Sequence, residues 1–117
     1  MDALNASKLL TDEYVMKILA ATFKEPKSAQ ELSLRFKIPI AVCYRKIHEL
    51  EAVGLLECVD RVLTREGKRV RLYQSQVINA YMFFQKGKLR VKLELSSFPT
   101  REIDTTWNAL ESLEMMV

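Results

Sequence analysis

Apolar and polar positions divide the chain into a first half with helical spacing and a second half with strand-like alternation. Tyr14, Val15, Ile18, Leu19 and Thr22 recur at i, i+1, i+4, i+5 and i+8, a stripe wide enough for a helix that faces a core. Thr11 is the expected N-cap, with Asp12 and Glu13 at the positive end of the helix dipole, so a helix is predicted over about 12 to 22. Phe23-Lys24-Glu25-Pro26-Lys27 ends it as a loop, and residues 1–10, with Leu4, Leu9 and Leu10, have no distinctive pattern.

Ser28 with Glu31 three residues on forms a capping box, in which the serine oxygen accepts a free backbone N–H and the glutamate returns to the serine amide. Ala29, Leu32 and Phe36 then share one helical face until Pro39 biases Ile38 away from helical geometry. Two short helices separated by a turn of about three residues are the expected result, the layout of a helix-turn-helix. The second runs from about Pro39 or Ile40 to Val53. At roughly 100° per residue, Ile40, Cys43, Ile47 and Leu50 form its packing face, and Ala41, Tyr44, Arg45 and His48 lie nearly opposite. Gly54 sits where a left-handed residue ends a helix, and Leu55 and Leu56 return to the core.

After Gly54 the period changes. Leu55 to Leu63 is β-leaning, Thr64-Arg65-Glu66-Gly67-Lys68 is a turn, and Arg69 to Gln74 alternates, with Val70 and Leu72 on one side and Arg69, Arg71 and Tyr73 on the other. A second hairpin is predicted from Gln76 to Phe84 and Lys88 to Leu95 around Gln85-Lys86-Gly87; Leu89, Val91, Leu93 and Leu95 form the face that must be covered. A last helix, capped by Thr100, is expected from the stripe Ile103, Trp107, Leu110 and Leu113, with Thr106 and Met116 or Val117 beside it.

The segment from about Leu9 to Tyr73 resembles the winged helix-turn-helix regulators of archaea and bacteria, especially the ArsR-like group. The resemblance rests on the box at Ser28, Glu31-Leu32, Ile38-Pro39, Tyr44-Arg45-Lys46-Ile47, Leu50-Glu51-Ala52-Val53-Gly54-Leu55 and the hairpin behind them. The expected fold is therefore α+β: a three-helix core with a β-hairpin wing over residues 1–75, then a C-terminal β-hairpin and final helix over 76–117. Two departures stand out. Lys37 occupies a turn position where many relatives have glycine, and the second helix opens on the apolar Ile40-Ala41-Val42 where many begin with Ser or Thr. Both suit DNA binding and also suit a winged helix turned into a protein-interaction module.

Composition narrows the function. The 117 residues fit one domain, 49% hydrophobic and 28% charged, with no apolar run of the roughly 18 residues that span a bilayer and no signal-peptide pattern at Met1-Asp2-Ala3-Leu4; a cytoplasmic protein is expected. Three glycines supply no phosphate-cradling loop. There is no Ser-His-Asp, Cys-His or histidine-pair arrangement, Glu49 and Glu51 point in different directions on their helix, and the expectation is no enzyme and no cofactor. Cys43 and Cys58 read as small apolar fillers. Metal-sensing ArsR relatives carry paired cysteines or histidine–carboxylate sets, which a chain with one histidine lacks.

Residues 24–73 hold eleven basic and seven acidic side chains, so the positive excess lies in the helix-turn-helix and first hairpin. Such a segment suits double-stranded DNA, where neutralised phosphates release counterions. Arg45 is the candidate for guanine or phosphate, Ala41 and Val42 for thymine methyls, Tyr44 for phosphate, and His48 for phosphate or as a plain exposed polar residue; Arg65, Lys68 and Arg69 are candidates at the hairpin tip, where charge that only keeps an exposed hairpin soluble is the competing reading, and the helix start at Ser28 offers backbone N–H groups. DNA readers of this fold pair on repeated half-sites, so a homodimer built partly from residues 76–117 is expected, with an intramolecular cap on the same domain as the competing reading. Tyr81, Phe83, Phe84, Trp107 and Met115-Met116 are the residues from which a pocket for a small-molecule effector would be built, with plain core as the competing reading.

Overall fold

The computed structural model describes residues 1–96 and 99–108. Four helices, α1 (Ala3–Thr11), α2 (Glu13–Ala21), α3 (Ala29–Phe36) and α4 (Ile40–Ala52), precede five strands, β1 (Leu56–Leu63), β2 (Arg69–Ser75), β3 (Val77–Gln85), β4 (Lys88–Leu95) and β5 (Arg101–Asn108). Helices followed by antiparallel sheets make the chain α+β. It forms two compact units. One is Asp12–Val77; the other joins Met1–Thr11 to Ile78–Val117, so the N-terminal residues group with the C-terminal ones and not with the helices that follow them.

The Asp12–Val77 unit holds α2, α3, α4 and the β1–β2 hairpin. Asp12, not Thr11, caps α2: its Oδ1 accepts the Val15 N–H at 3.1 Å. Thr11 is instead the last residue of α1, its hydroxyl donating to the Ser7 carbonyl. Val15, Ile18 and Leu19 of α2 pack with Leu32 of α3 and with Cys43, Ile47 and Leu50 of α4, all buried. At roughly 1.5–3 kcal/mol for each large side chain removed from water, this helix face holds the unit together. Leu50→Ala alone would cost ~2–5 kcal/mol. Ile40, expected on the packing face, is 44% exposed; as the first residue of α4 it lies at the open end of the helix, a turn ahead of Cys43.

Ser28 caps α3, accepting the Glu31 N–H at 3.1 Å as expected, but the glutamate meets the serine hydroxyl, which donates to Glu31 Oε1 at 3.4 Å, where the serine amide was the expected partner. Between α3 and α4 the chain reverses through Lys37 at φ 55°, ψ 41°, a left-handed geometry disfavoured for a residue with a Cβ. The turn is held because Ser33 O accepts the Ile38 N–H at 3.1 Å and Ser33 Oγ donates back to the Ile38 carbonyl. Gly54, at φ 78°, ends α4 with the Leu55 N–H returning to the Leu50 carbonyl at 2.9 Å.

β1 and β2 pair antiparallel from Leu56–Ser75 to Leu63–Arg69, with an irregularity between Cys58 and Asp60. Tyr73, expected to point outward with Arg69 and Arg71, is buried. Those three residues do share a face, but its base lies against the helices, because Lys27 and Tyr73 exchange backbone hydrogen bonds at 2.8 and 3.0 Å. One strand face is thus apolar and covered at Tyr73, and cationic and open at Arg71 and Arg69.

In the other unit, β3, β4 and β5 form a sheet in that order. The helix expected from Thr100 does not form over residues 101–108, which are a strand; Leu110, Leu113, Met115, Met116 and Val117 lie outside the described residues. Ile103 and Trp107 share a face in a strand as well as in a helix, and there they stand opposite Leu93 and Leu89. Arg90–Asp104 at 2.6 Å and Lys92–Glu102 at 3.0 Å bind the other face of the same pair of strands. Helix α1, with Ala3 and Ala6 buried, packs on β4 and β5.

Candidate functional site

The outer side of α4 is open. Ala41, Tyr44, Arg45 and His48 are exposed and Val42 is half-buried, because Cys43, Ile47 and Leu50 fix the opposite side in the core. Arg45 makes no ion pair among the described residues. Its neighbour Lys46 is turned to the back of the helix, where its Nζ meets Asp12 Oδ2 at 2.7 Å. Burial alone would raise the Asp12 pKa; the Lys46 hydrogen bond, the Val15 N–H and the ammonium charge together outweigh it and hold the carboxyl below its ordinary value. Adjacent cations in the sequence therefore have different work: Lys46 ties α4 to the start of α2, and Arg45 faces outward.

Beside α4 lies a groove of about 270 Å³, lined by Ala29 and Gln30 at the start of α3, Tyr44 and His48 on α4, and Arg69, Val70, Arg71 and Tyr73 on β2. Gln30 Nε2 donates to Tyr44 Oη at 2.7 Å. The phenol thus acts as acceptor on one side and keeps its own proton to donate. The Tyr44 and His48 rings stack with centroids 6.4 Å apart, and His48 Nδ1 is 3.4 Å from Glu51 Oε1. Burial pushes the Tyr73 phenol up, Glu51 adds to the shift, and the Arg71 charge and hydrogen bond act against it. The groove wall carries two guanidinium groups and two phenols around one concave surface. Five guanidinium donors per arginine, in a planar fork, match a phosphate.

Tyr44, His48 and Arg69 thus come together, while Ala41, Val42 and Arg45 lie on α4 outside the groove lining. Arg65 and Lys68 are exposed at the hairpin tip, a turn closed by the Thr64 N–H on the Lys68 carbonyl at 2.8 Å and by Gly67 at φ 79°. Ser28 is placed differently: it is buried, and its hydroxyl is taken up by Glu31. Gln30 and Arg71 were not singled out from the sequence. Arg71 had a signal, its shared face with Arg69; Gln30 had none, since its partner Tyr44 is fourteen residues away.

The described members of the aromatic set considered for an effector pocket lie on both faces of the β3–β4–β5 sheet. Tyr81 and Phe83 lie on one face of the sheet, stacked at 6.3 Å with Lys92 and Arg90 over their rings, and Phe84 is 72% exposed. Trp107 pairs with Leu89 on the other face, and Met115 and Met116 lie outside the described residues. Among the described residues no helix is long and apolar enough to cross a membrane.

Residues 10–59 match a family model described as a helix-turn-helix domain, a span that runs from the end of α1 through α2, α3 and α4 into β1. No curated protein matches the chain. The match supports a DNA-binding regulator of the helix-turn-helix type.

Proposed function

We propose that the chain is a sequence-specific, double-stranded-DNA-binding transcriptional regulator of the winged helix-turn-helix, ArsR-like kind, cytoplasmic, homodimeric and without catalytic activity. One observation carries the reading: α4 leaves Ala41, Tyr44, Arg45 and His48 open to solvent, next to a groove walled by Arg69 and Arg71. A helix about 10–12 Å across fits a major groove about 12 Å wide. In that pose Arg45 reaches a guanine edge or a phosphate, and Ala41 and Val42 lie against thymine methyls. Tyr44 donates its phenol proton to a phosphate oxygen while Gln30 holds the ring from behind. The β1–β2 hairpin acts as the wing, with Arg69 and Arg71 on the phosphates flanking α4 and Arg65 and Lys68 on backbone further out.

A protein-interaction module is the second reading, and exposed apolar side chains favour it: Leu34 on α3 is 82% exposed and Ile40 44%. Salt separates the two. Binding to duplex through several phosphates weakens with a log–log slope of about −0.9 for each, whereas an apolar protein contact is nearly insensitive. A titration of duplex binding between 50 and 200 mM salt, on the order of the range where phosphate contacts dominate, tests the proposal. A flat response, or no duplex binding, removes it.

A further inference from the structure

The β3–β4–β5 sheet ends in two unlike edges. β5 carries Arg101, Glu102 and Asp104, charges that discourage a further strand from pairing. β3, Val77-Ile78-Asn79-Ala80-Tyr81-Met82-Phe83-Phe84-Gln85, carries no charge, and Ile78, Tyr81, Met82, Phe83 and Phe84 are each at least 40% exposed. A long, apolar, uncharged strand at the edge of the sheet, with no further strand beside it among the described residues, is a template for another strand.

The turn fixes which backbone groups are open. Lys86 and Gly87, at φ 51° and 77°, make a two-residue hairpin turn of the primed type, which sets Gln85 opposite Lys88 as a hydrogen-bonded pair. Counting back, Phe83 faces Arg90, Tyr81 faces Lys92 and Asn79 faces Glu94. The side chains agree: Arg90 lies 5.7 Å over the Phe83 ring, Lys92 6.0 Å over Tyr81, and Asn79 Nδ2 donates to Glu94 Oε2 at 3.0 Å. Odd-numbered residues of β3 therefore bond to β4. Ile78, Ala80, Met82 and Phe84 direct N–H and C=O away from the sheet.

We propose that this edge pairs with β3 of a second copy of the chain, antiparallel about a two-fold axis at Tyr81. Overlap of the whole strand is greatest when Ala80 meets Met82 and Ile78 meets Phe84 of the other copy, as hydrogen-bonded pairs, with the two Tyr81 residues facing each other as a non-hydrogen-bonded pair. β-branched Ile78 against aromatic Phe84, and Tyr81 against Tyr81, are favourable cross-strand pairs. Charge permits it. The β4 strands of the two copies would stand three strand spacings apart, ~14 Å, beyond the screening length of about 8 Å in physiological salt, and Arg90 and Lys92 are already paired to Asp104 and Glu102. The result is one continuous six-stranded sheet. This interface gives a location to the homodimer of the proposed function and rests on that part of it alone, independent of DNA.

Sedimentation of the full chain at micromolar concentration tests it, with two kinds of variant. The wild type is expected at twice the chain mass of 13.6 kDa. Ala80→Pro removes an outward N–H without touching the β3–β4 ladder, and Met82→Lys leaves the backbone unchanged; each is expected to raise the dimer dissociation constant roughly tenfold or more, with circular dichroism unaltered for Met82→Lys. In a Cys58→Ser background, Tyr81→Cys is expected to oxidise to a covalent dimer, since facing residues of such a pair have Cα atoms ~4.5 Å apart. Asn79→Cys is expected not to, its two copies being ~14 Å apart in this register. A monomer overturns both the dimer and this interface. A dimer that tolerates both β3 variants, or that cross-links equally through Asn79→Cys, keeps the dimer and overturns the interface.

Discussion

Replacing Lys46 and Arg45 one at a time separates what holds α4 from what α4 holds out. Lys46→Ala removes the 2.7 Å contact to Asp12 Oδ2, a pair whose side chains retain 17% and 25% of their exposure. Exposed pairs are worth ~0.2–1 kcal/mol, and breaking a buried one costs ~3–5 kcal/mol. A pair three-quarters or more covered, whose carboxylate still caps α2 through the Val15 N–H, falls between, at about 1–2 kcal/mol. Urea unfolding by circular dichroism reads this as a lower midpoint with an unchanged slope. The pH dependence gives the sign. Asp12 has a folded pKa below its ordinary value of 3.8, so its contribution is fully present above that value and is lost as pH falls through the lower folded one. Lys46→Ala flattens the loss of stability in that acidic window, and a cycle with Asp12→Asn returns coupling of about 1 kcal/mol. Arg45→Ala leaves the unfolding free energy within ~0.5 kcal/mol of the wild type and weakens binding to a selected duplex by ~1–3 kcal/mol. If Lys46→Ala lost duplex affinity as Arg45→Ala does, at unaltered stability, the assignment of the two faces would be wrong.

Other outcomes follow from the same geometry. Changing Lys68 and Arg69 together to Ala weakens binding to all duplexes and makes the log–log salt slope shallower by about 1.8, that is 0.9 for each phosphate released; an unaltered slope makes the hairpin tip a bystander. Tyr44→Phe keeps the fold and lowers duplex affinity roughly 3–10-fold, because the ring stays while the hydroxyl between Gln30 and phosphate goes; full affinity would leave that hydroxyl without a role. Lys37→Gly raises unfolding stability by ~0.5–1 kcal/mol, since φ 55° is strained for lysine and open to glycine; a loss of stability in urea would show the strain to be absent.

The helix-turn-helix segment was legible because its signals are local and agree. Ser28 with Glu31 starts α3, Pro39 separates the helices, Cys43, Ile47 and Leu50 give the buried face, and Gly54 stops α4. Local signals failed where two residues were equally fit for one role. Thr11 and Asp12 are both good caps, and the choice went to Asp12 because α1, which the sequence did not reveal, already uses Thr11. Nothing in Ala3 and Ala6 announces that they cover β4 and β5; small residues pack where a partner comes close, and the partner is some ninety residues away. The last element was misread because a spacing of four, Ile103 to Trp107, is one turn of a helix and also two steps of a strand. The pairing that decides it, Arg90 with Asp104 and Lys92 with Glu102, is visible only once β4 is in place. The exposed side of α4 was readable from periodicity, while the groove beside it depends on the path of β2 past the start of α3.

Selection of binding sites from a random duplex pool at 100 mM salt, an ionic strength at which the Debye length is ~10 Å, puts the outer face of α4 to its most direct test. A short motif is expected to be enriched that binds at least ~100-fold tighter than random duplex, toward the low end of specific protein–DNA ratios, with the preference reduced at one base pair by Arg45→Ala. No enrichment over the starting pool, with equal affinity for every duplex before and after that substitution, would contradict it.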